Sequence, residues 1–134
     1  MKKKILVVVA NYYKDISKEL TIRSKKLLIE HRVTNNLIKV PGVFEIPVVI
    51  AKNIKKYDGF IALGCVIKGE TPHFDFISQT ATDAIMQLSI DYKKPIGNGI
   101  ITCLNKDQAD VRATKKGQEA TNAVISLLNI KISK

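Results

Sequence analysis

The amino-acid sequence predicts an α/β fold: a three-layer sandwich in which a four-stranded parallel sheet is flanked by helices on both faces. Two features predict it. Short apolar runs alternate along the chain with segments in which apolar residues recur at helical spacing. One run, residues 60–67, is apolar nearly throughout, which is typical of a strand buried on both faces. The 134 residues suit one domain, 1–134, and the predicted layers are those of a flavodoxin-like fold.

Four apolar runs are predicted as strands: residues 5–10, 37–40, 60–67 and 95–102. The first run follows three lysines, as in a signal peptide, but its six apolar residues are too few for export or for a membrane span. Pro41-Gly42 ends the second run, and Gly97-Asn98-Gly99 is expected to interrupt the fourth. We therefore expect a cytoplasmic protein without a membrane partner.

Helical periodicity fills the intervals between these strands. One helix is expected to end near His31, and a second to end before Tyr57-Asp58-Gly59. The third is the clearest, because Thr71 is a good N-cap and Pro72 stands in the first turn, where proline is favoured. Beyond Asn105 we expect two helices, a short polar one followed by one with an apolar stripe.

The composition is that of a globular chain with an unusual charge. Lys and Arg number 22 against 12 Asp and Glu, a net charge of +10. Such an excess favours an anionic partner, which could be a nucleic acid, a membrane or a small phosphorylated molecule. Aromatic residues are only 6%, Trp is absent and the lysine clusters are spread along the sequence, so we expect no nucleic-acid partner. The clusters are Lys2–Lys4, Lys25-Lys26, Lys55-Lys56, Lys93-Lys94 and Lys115-Lys116.

The richest candidate site follows the third predicted strand, since ligands of open parallel sheets bind at the carboxyl ends of the strands. In residues 68–73, a glycine before a capped helix start offers backbone N–H groups and a positive dipole to an anion. His73 would stand beside a phosphate bound there, and a histidine changes protonation near neutral pH, which suits general acid–base catalysis. The alternative is a surface histidine without a chemical role.

Three further side chains are candidates. Glu45 either interacts with a helix dipole or accepts a hydrogen bond from a ligand. Tyr12 either stacks on a planar ring or packs at the rim of the sheet, and Arg112 either binds phosphate or is a solvated helix residue. Cys65 and Cys103 are expected to be buried free thiols without metal-ligand spacing, and no nucleotide-binding motif is present. We therefore expect a site without a metal ion.

The motifs at these positions resemble those of the 6,7-dimethyl-8-ribityllumazine synthases, the family that carries out the penultimate step of riboflavin biosynthesis. They are VPGVFEIP at 40–47, GCVIKGETPHFD at 64–75, PIGNGIIT at 95–102 and KG at 116–117, so that the resemblance extends over nearly the whole chain. It implies a transferase that condenses 5-amino-6-(D-ribitylamino)uracil with 3,4-dihydroxy-2-butanone 4-phosphate and releases phosphate and water. It also implies that no metal or organic cofactor takes part.

The resemblance assigns a role to each motif residue by position. His73 matches the histidine that transfers protons. The residues expected to bind the pyrimidine and its ribityl chain are Tyr12, Val43, Phe44, Glu45, Cys65, Val66, Ile67 and Asn98. Those expected to bind the phosphate are Gly69, Glu70, Thr71, Arg112 and Lys116. Asn98 matches a contact from a neighbouring subunit, because the family forms pentamers with active sites between subunits.

The chain departs from the family's motifs at three places. Asn11-Tyr12-Tyr13 stands where Arg-Phe-Asn is common, and Asn98 replaces a frequent phenylalanine. The segment from Arg112 to Lys116 is shorter than usual, which favours a pentamer or decamer over a larger shell. Two other hypotheses stay open: a binding module of this fold that holds a flavin or lumazine without turnover, and a nucleic-acid binder, motivated only by the net charge.

Overall fold

Residues 3–69 and 73–129 are described by a computed structural model of the chain. Strands and helices alternate in it, and a 3-10 turn (Val43–Glu45) precedes the second helix. The elements are β1 (Lys4–Ala10), α1 (Lys14–Glu30), β2 (Thr34–Val40), α2 (Ile46–Asn53), β3 (Gly59–Ile67), α3 (His73–Tyr92), β4 (Ile96–Cys103) and α4 (Lys106–Leu128).

The four strands are all parallel and lie in the order β2-β1-β3-β4. The predicted fold class is therefore confirmed, and the order is the beginning of the 2-1-3-4-5 order of flavodoxin-like folds. In such sheets, ligands bind where the strand order reverses, which here is the carboxyl edge between β1 and β3. The predicted N-cap and first-turn residues of α3, Thr71 and Pro72, lie outside the described residues.

The two central strands are apolar along their length because each faces a core on both sides. Alternate residues of β1, such as Ile5 and Val7, pack with α1 and α4 on one face of the sheet. The residues between them, such as Leu6 and Val8, pack with α2 and α3 on the other face. The sheet is thus the middle layer of the predicted sandwich.

Strand β4 is continuous, so the expected interruption at Gly97-Asn98-Gly99 is wrong. The glycines are needed for packing. A Cβ atom on Gly97 would lie 2.3 Å from the backbone oxygen of Ala120, and one on Gly99 would lie 2.9 Å from the backbone oxygen of Ala62. The missing side chain of Gly97 lets α4 lie directly on the strand, and that of Gly99 leaves room for the neighbouring strand β3.

The two helices expected after Asn105 are one, because α4 runs unbroken over 23 residues. Asn105 is its N-cap, and the Oδ1 atom of Asn105 accepts the backbone N–H of Gln108 at 2.9 Å. The buried face of α4 continues through the position where a break between two helices was expected. Its small residues there are Ala109, Ala113, Gly117 and Ala120.

Helix α4 also packs closely against α1. A Cβ atom on Gly117 would lie 2.7 Å from the backbone oxygen of Leu20. The buried hydroxyl of Thr121 donates to the Gly117 carbonyl at 2.7 Å, and the Ser24 hydroxyl lies 2.6 Å from the Thr121 hydroxyl. Ser24 is therefore the donor to Thr121, and these hydrogen bonds satisfy the buried polar atoms of the contact.

We expect Gly97→Ala to lower the free energy of unfolding by about 1–3 kcal/mol, because the new methyl group must displace the α4 backbone. Urea denaturation of the two proteins measures the difference. Gly69→Ala is the control, since the nearest atom to its Cβ would lie 3.9 Å away, and it should stay within about 0.5 kcal/mol of the parent. Equal losses in the two variants would contradict the packing role of Gly97.

Candidate active site

A cavity of about 650 Å³ opens at the carboxyl ends of β1 and β3, the edge at which ligands of this fold bind. Its volume is typical of small-molecule sites. We call it the main cavity. Its walls are Tyr12, Tyr13, Gly42, Val43, Phe44, Glu45, Cys65, Val66, Ile67, Gly69, Phe74 and Ile77.

Most of the residues predicted to bind the pyrimidine line this cavity together with Gly69, although they come from three separate segments of the chain. His73 begins α3, and the next residue, Phe74, is part of the cavity wall. The side chain of His73 lies outside the described part of the chain, as do Glu70 and Thr71.

Glu45 is held by the turn that carries it. The Oε1 atom of Glu45 accepts the backbone N–H of Gly42 at 2.9 Å, and the backbone N–H of Glu45 donates to the Gly42 carbonyl at 3.1 Å. A Cβ atom at residue 42 would lie only 3.2 Å from Oε1, so the glycine at this position leaves room for the carboxylate. Among the described residues no donor reaches Oε2, which therefore remains available as an acceptor in the cavity.

Two aromatic rings stand at the mouth of the main cavity. Tyr12 is 74% exposed and Phe44 is 61% exposed, although each is a large side chain next to an apolar wall. The Tyr12 ring is oriented by an edge-on contact with Tyr13, whose centroid lies 4.9 Å away at an interplanar angle of 84°. Exposed rings at a cavity mouth suit stacking on a planar ligand.

Two of the residues that line the main cavity, Tyr13 and Cys65, carry weakly acidic groups that stay protonated. Burial raises the pKa of the Cys65 thiol to about 12, with further contributions from the neighbouring Cys103 thiol and Asp110. Burial is also the largest cause that raises the pKa of Tyr13 above its ordinary value of 10.0, and the neighbouring Cys65, Tyr12 and Cys103 raise this pKa further. At neutral pH, Tyr13 and Cys65 are therefore neutral hydrogen-bonding groups, and Cys65 is not a thiolate nucleophile.

A second cavity, of about 490 Å³, lies between β4 and α4 and shares no lining residue with the main cavity. We call it the basic cavity. The Nη1 atom of Arg112 donates to the Thr102 carbonyl at 2.8 Å, and Lys116 follows Arg112 by about one helical turn. The lining residues are Ile100, Ile101, Thr102, Val111, Arg112, Thr114, Lys115, Lys116 and Glu119.

Asn98 lines neither of these two cavities. It is exposed on β4, an edge strand, and its Oδ1 atom accepts the backbone N–H of Ile100 at 3.0 Å. In one copy of the chain, the structure thus separates the predicted site residues into a main-cavity group, a basic-cavity pair and Asn98.

Sequence reasoning missed several wall residues. Tyr13 and Gly42 directly adjoin predicted residues, so their positions at the strand ends were an available signal. Ile77 belongs to the apolar stripe of α3, and stripes of this kind ordinarily indicate core packing. Lys115 lines the basic cavity with Arg112 and Lys116, and only the unbroken helix brings it there.

Across residues 3–69 and 73–129, no cluster of His, Cys, Asp and Glu side chains has the geometry to hold a metal ion. Within the same ranges, none of the helices is both long and apolar enough to cross a membrane. The described groups can stack on a ring, accept a hydrogen bond through Glu45 and attract an anion through Arg112 and Lys116.

Comparison with known proteins decides the family. The sequence pattern of 6,7-dimethyl-8-ribityllumazine synthase matches residues 2–131. The chain belongs to this family. It is therefore an enzyme, a transferase with a role in riboflavin biosynthesis.

Curated relatives with this name agree over nearly their full length. The 6,7-dimethyl-8-ribityllumazine synthase of Agrobacterium fabrum is 39% identical over 138 residues, covering 95% of this chain and 93% of the relative. That of Bartonella bacilliformis is 39% identical over 135 residues, covering 95% and 89%. The 6,7-dimethyl-8-ribityllumazine synthase 1 of Rhodopseudomonas palustris is 40% identical over 139 residues, covering 96% and 85%.

The raised pKa of Cys65 predicts a loss of stability in alkaline solution. Above the ordinary thiol pKa of 9.0 the unfolded chain releases a proton that the folded chain retains up to about pH 12. The free energy of unfolding should therefore fall with rising pH in this window, by at most about 1.4 kcal/mol per pH unit from this one group. Urea denaturation at several pH values between about 8 and 11 measures the slope of the free energy of unfolding against pH.

Cys65→Ala should make that slope shallower. Val66→Ala is the matched control, because it truncates the neighbouring buried side chain without removing a titratable group, and its slope should equal that of the parent. An unchanged slope in Cys65→Ala would show that the thiol is not the group responsible.

Proposed function

We propose that the chain condenses 5-amino-6-(D-ribitylamino)uracil with 3,4-dihydroxy-2-butanone 4-phosphate, forming 6,7-dimethyl-8-ribityllumazine and releasing phosphate and water. The observation that supports this most is that Glu45, Cys65 and Gly69, which come from separate motifs, line one cavity at the carboxyl edge of the sheet. Residues 1–134 would act as a single synthase domain that needs no metal or organic cofactor.

The pyrimidine substrate is assigned to the main cavity. Its planar ring would stack on Tyr12 and contact the apolar wall formed by Val43, Phe44 and the end of β3. Glu45 would accept a hydrogen bond from the substrate through Oε2. Because Oε1 is already bound to Gly42, the carboxylate is oriented before the substrate arrives, which reduces the entropy lost on binding.

The butanone phosphate is assigned to Arg112, assisted by Lys116 and by the loop that contains Gly69, Glu70 and Thr71. Arginine matches phosphate through two parallel N–H groups, and the guanidinium of Arg112 is bound only to a neutral carbonyl among the described residues. Lys116 adds a second positive charge about one turn along the same helix.

The complete site is proposed to lie between two copies of the chain in a homopentamer or decamer. One copy would supply the main cavity and His73, and the neighbouring copy would supply Asn98, Arg112 and Lys116. The absence of any shared lining residue between the main and basic cavities supports this division.

The proposed chemistry requires positioning and proton transfer. Holding the amine of the pyrimidine against the carbonyl of the butanone phosphate favours formation of the imine, after which phosphate is eliminated and the second ring closes. His73 would move protons between the amine, the carbonyl and the leaving phosphate, since an ordinary histidine pKa lies near neutrality. We assign the reaction to the cytoplasm, because Cys65 and Cys103 are both free thiols, as expected in a reducing compartment.

Steady-state kinetics with the purified chain and both substrates tests this function. Lumazine formation, followed by absorbance or fluorescence, should exceed the uncatalysed rate. A rate equal to the uncatalysed one would overturn the proposal, and tight riboflavin binding without turnover would favour the binding module instead.

Variants of the two cavities should separate the two substrates. Arg112→Ala should raise the KM for the butanone phosphate at least about tenfold with a smaller effect on the pyrimidine, because it removes a charge-assisted hydrogen bond to phosphate. Glu45→Gln should do the reverse. Arg23→Ala, which removes an arginine that is paired with Glu19 on α1, is the control and should leave both KM values unchanged. Equal effects of Arg112→Ala on both substrates would argue against a phosphate role.

Shared sites predict complementation between inactive variants. If His73→Asn and Arg112→Ala chains are unfolded together and refolded as a mixture, about a quarter of the sites should contain two intact halves when subunits associate at random. Activity should then recover to roughly that fraction, while each variant refolded alone stays inactive at low butanone phosphate. No recovery, in a mixture shown to form mixed oligomers, would mean that each site belongs to one chain.

A further inference from the structure

The amino edge of the sheet, opposite to both cavities, collects positive charge. Strands β1 to β4 begin at this edge, and α1, α2 and α3 end there because each helix runs antiparallel to the strands. The cationic residues at this edge are Lys3, Lys4, Arg32, Lys52, Lys55, Lys56, Lys93 and Lys94, which we call the basic pole. The acidic residues there are Glu30, Asp58 and Asp91.

Little at this edge neutralises the basic pole. Over the described ranges, the salt bridges are Arg23–Glu19 and Lys106–Asp110, and neither includes a residue of the pole. Asp58 is engaged by the backbone N–H of Lys4 at 2.8 Å, and Asp91 by the amide of Gln87 at 2.7 Å. These neutral donors leave the carboxylates charged, so the eight cations and three acidic residues give this edge a net charge of +5.

Two of the cations are structurally occupied. The Nζ atom of Lys94 donates to the Ile54 carbonyl at 2.6 Å, and that of Lys4 lies 4.7 Å from the centroid of the Tyr57 ring. The other six side chains of the pole are exposed, and their charges face solvent.

Helix stability explains only part of this charge. A cation in the last turn of a helix interacts favourably with the dipole, and Lys52 on α2 is such a residue. Arg32 and Lys93, however, follow α1 and α3 with φ angles of 55° and 54°, the left-handed conformation for which glycine is favoured. Cations therefore occupy both positions at which the backbone by itself would favour glycine.

We propose that the basic pole binds the phosphate backbone of double-stranded nucleic acid without sequence selectivity. All but one of its cations are lysines, which contact phosphates as point charges and lack the planar fork with which arginine reads bases. The pole extends across four strands, about 14 Å plus the flanking helices, whereas duplex DNA carries one charge per about 1.7 Å. Several phosphates can therefore be contacted at once.

An anionic membrane fits this surface less well. The connections at the pole are formed by residues 31–33, 54–58 and 93–95, and their exposed members are mainly charged, whereas the exposed apolar side chains at this edge are Ile29, Ile90 and Tyr92, on the last turns of α1 and α3. Surface attachment to a bilayer usually adds a buried apolar face to the electrostatic term. The expectation of no nucleic-acid partner relied on the spread of lysine clusters and on the scarcity of aromatic residues. The fold removes the first reason, because it brings the clusters 55–56 and 93–94 to one edge, and contact with phosphates alone requires no stacking aromatic residues.

Fluorescence anisotropy with a labelled duplex of about 20 base pairs and arbitrary sequence, titrated between about 50 and 200 mM salt, tests the proposal. The variant combines Lys55→Gln, Lys56→Gln and Lys93→Gln, three exposed residues whose side chains make no hydrogen bond within the described residues. It should bind the duplex at least about tenfold more weakly at the lowest salt and reduce the salt slope of log Kd by about 2 to 3.

The matched control combines Lys14→Gln, Lys18→Gln and Lys39→Gln, which remove the same charge near the carboxyl edge, beside α1 and β2. It should keep the parent affinity and slope, and both variants should keep the parent melting temperature. Absence of duplex binding at the lowest salt, or equal weakening by the two variants, would overturn the proposal. So would pole-dependent binding to vesicles containing an anionic phospholipid when the duplex does not bind.

Discussion

The direct contact of α4 with glycine backbone governs where Arg112 and Lys116 lie at the carboxyl edge of the sheet. Gly97 lets the strand touch the Ala120 backbone, and Gly117 lets the same helix touch the Leu20 backbone of α1. With no side chains between them, the helix is fixed against β4 and α1 at once. This placement carries Arg112 to the end of β4, where its guanidinium meets the Thr102 carbonyl. A side chain at either glycine would move the cations together with the helix.

Much of the fold and of the main cavity could be predicted from sequence, because both depend on local signals. The burial of β3 on both faces follows from its apolar run, and strand ends identify Glu45 and Cys65 as wall residues. The continuity of β4 and α4 could not be predicted, because there glycine and alanine serve close packing between elements distant in sequence. Local propensity alone predicts that glycine interrupts a strand or a helix.

The distribution of the site residues between two cavities was equally hidden from sequence. Cys65 and Thr102 lie near the ends of adjacent strands, and a sequence argument places everything at such ends in one site. The structure shows that Cys65 faces the main cavity and Thr102 the basic cavity. The cavity that a residue at a strand end faces depends on where the covering helices lie. The positions of those helices are set by packing between elements that are distant in the sequence.

The unbroken α4 has a consequence for how an anion would leave the basic cavity. A helix without an interruption has no hinge, so the turn that carries Arg112 and Lys116 cannot swing away from the buried stripe on its other side. Release must then occur by rotation of long side chains, which takes place on the picosecond-to-nanosecond timescale when they are exposed. We therefore expect that motion of α4 does not limit the rate at which the anion leaves the basic cavity.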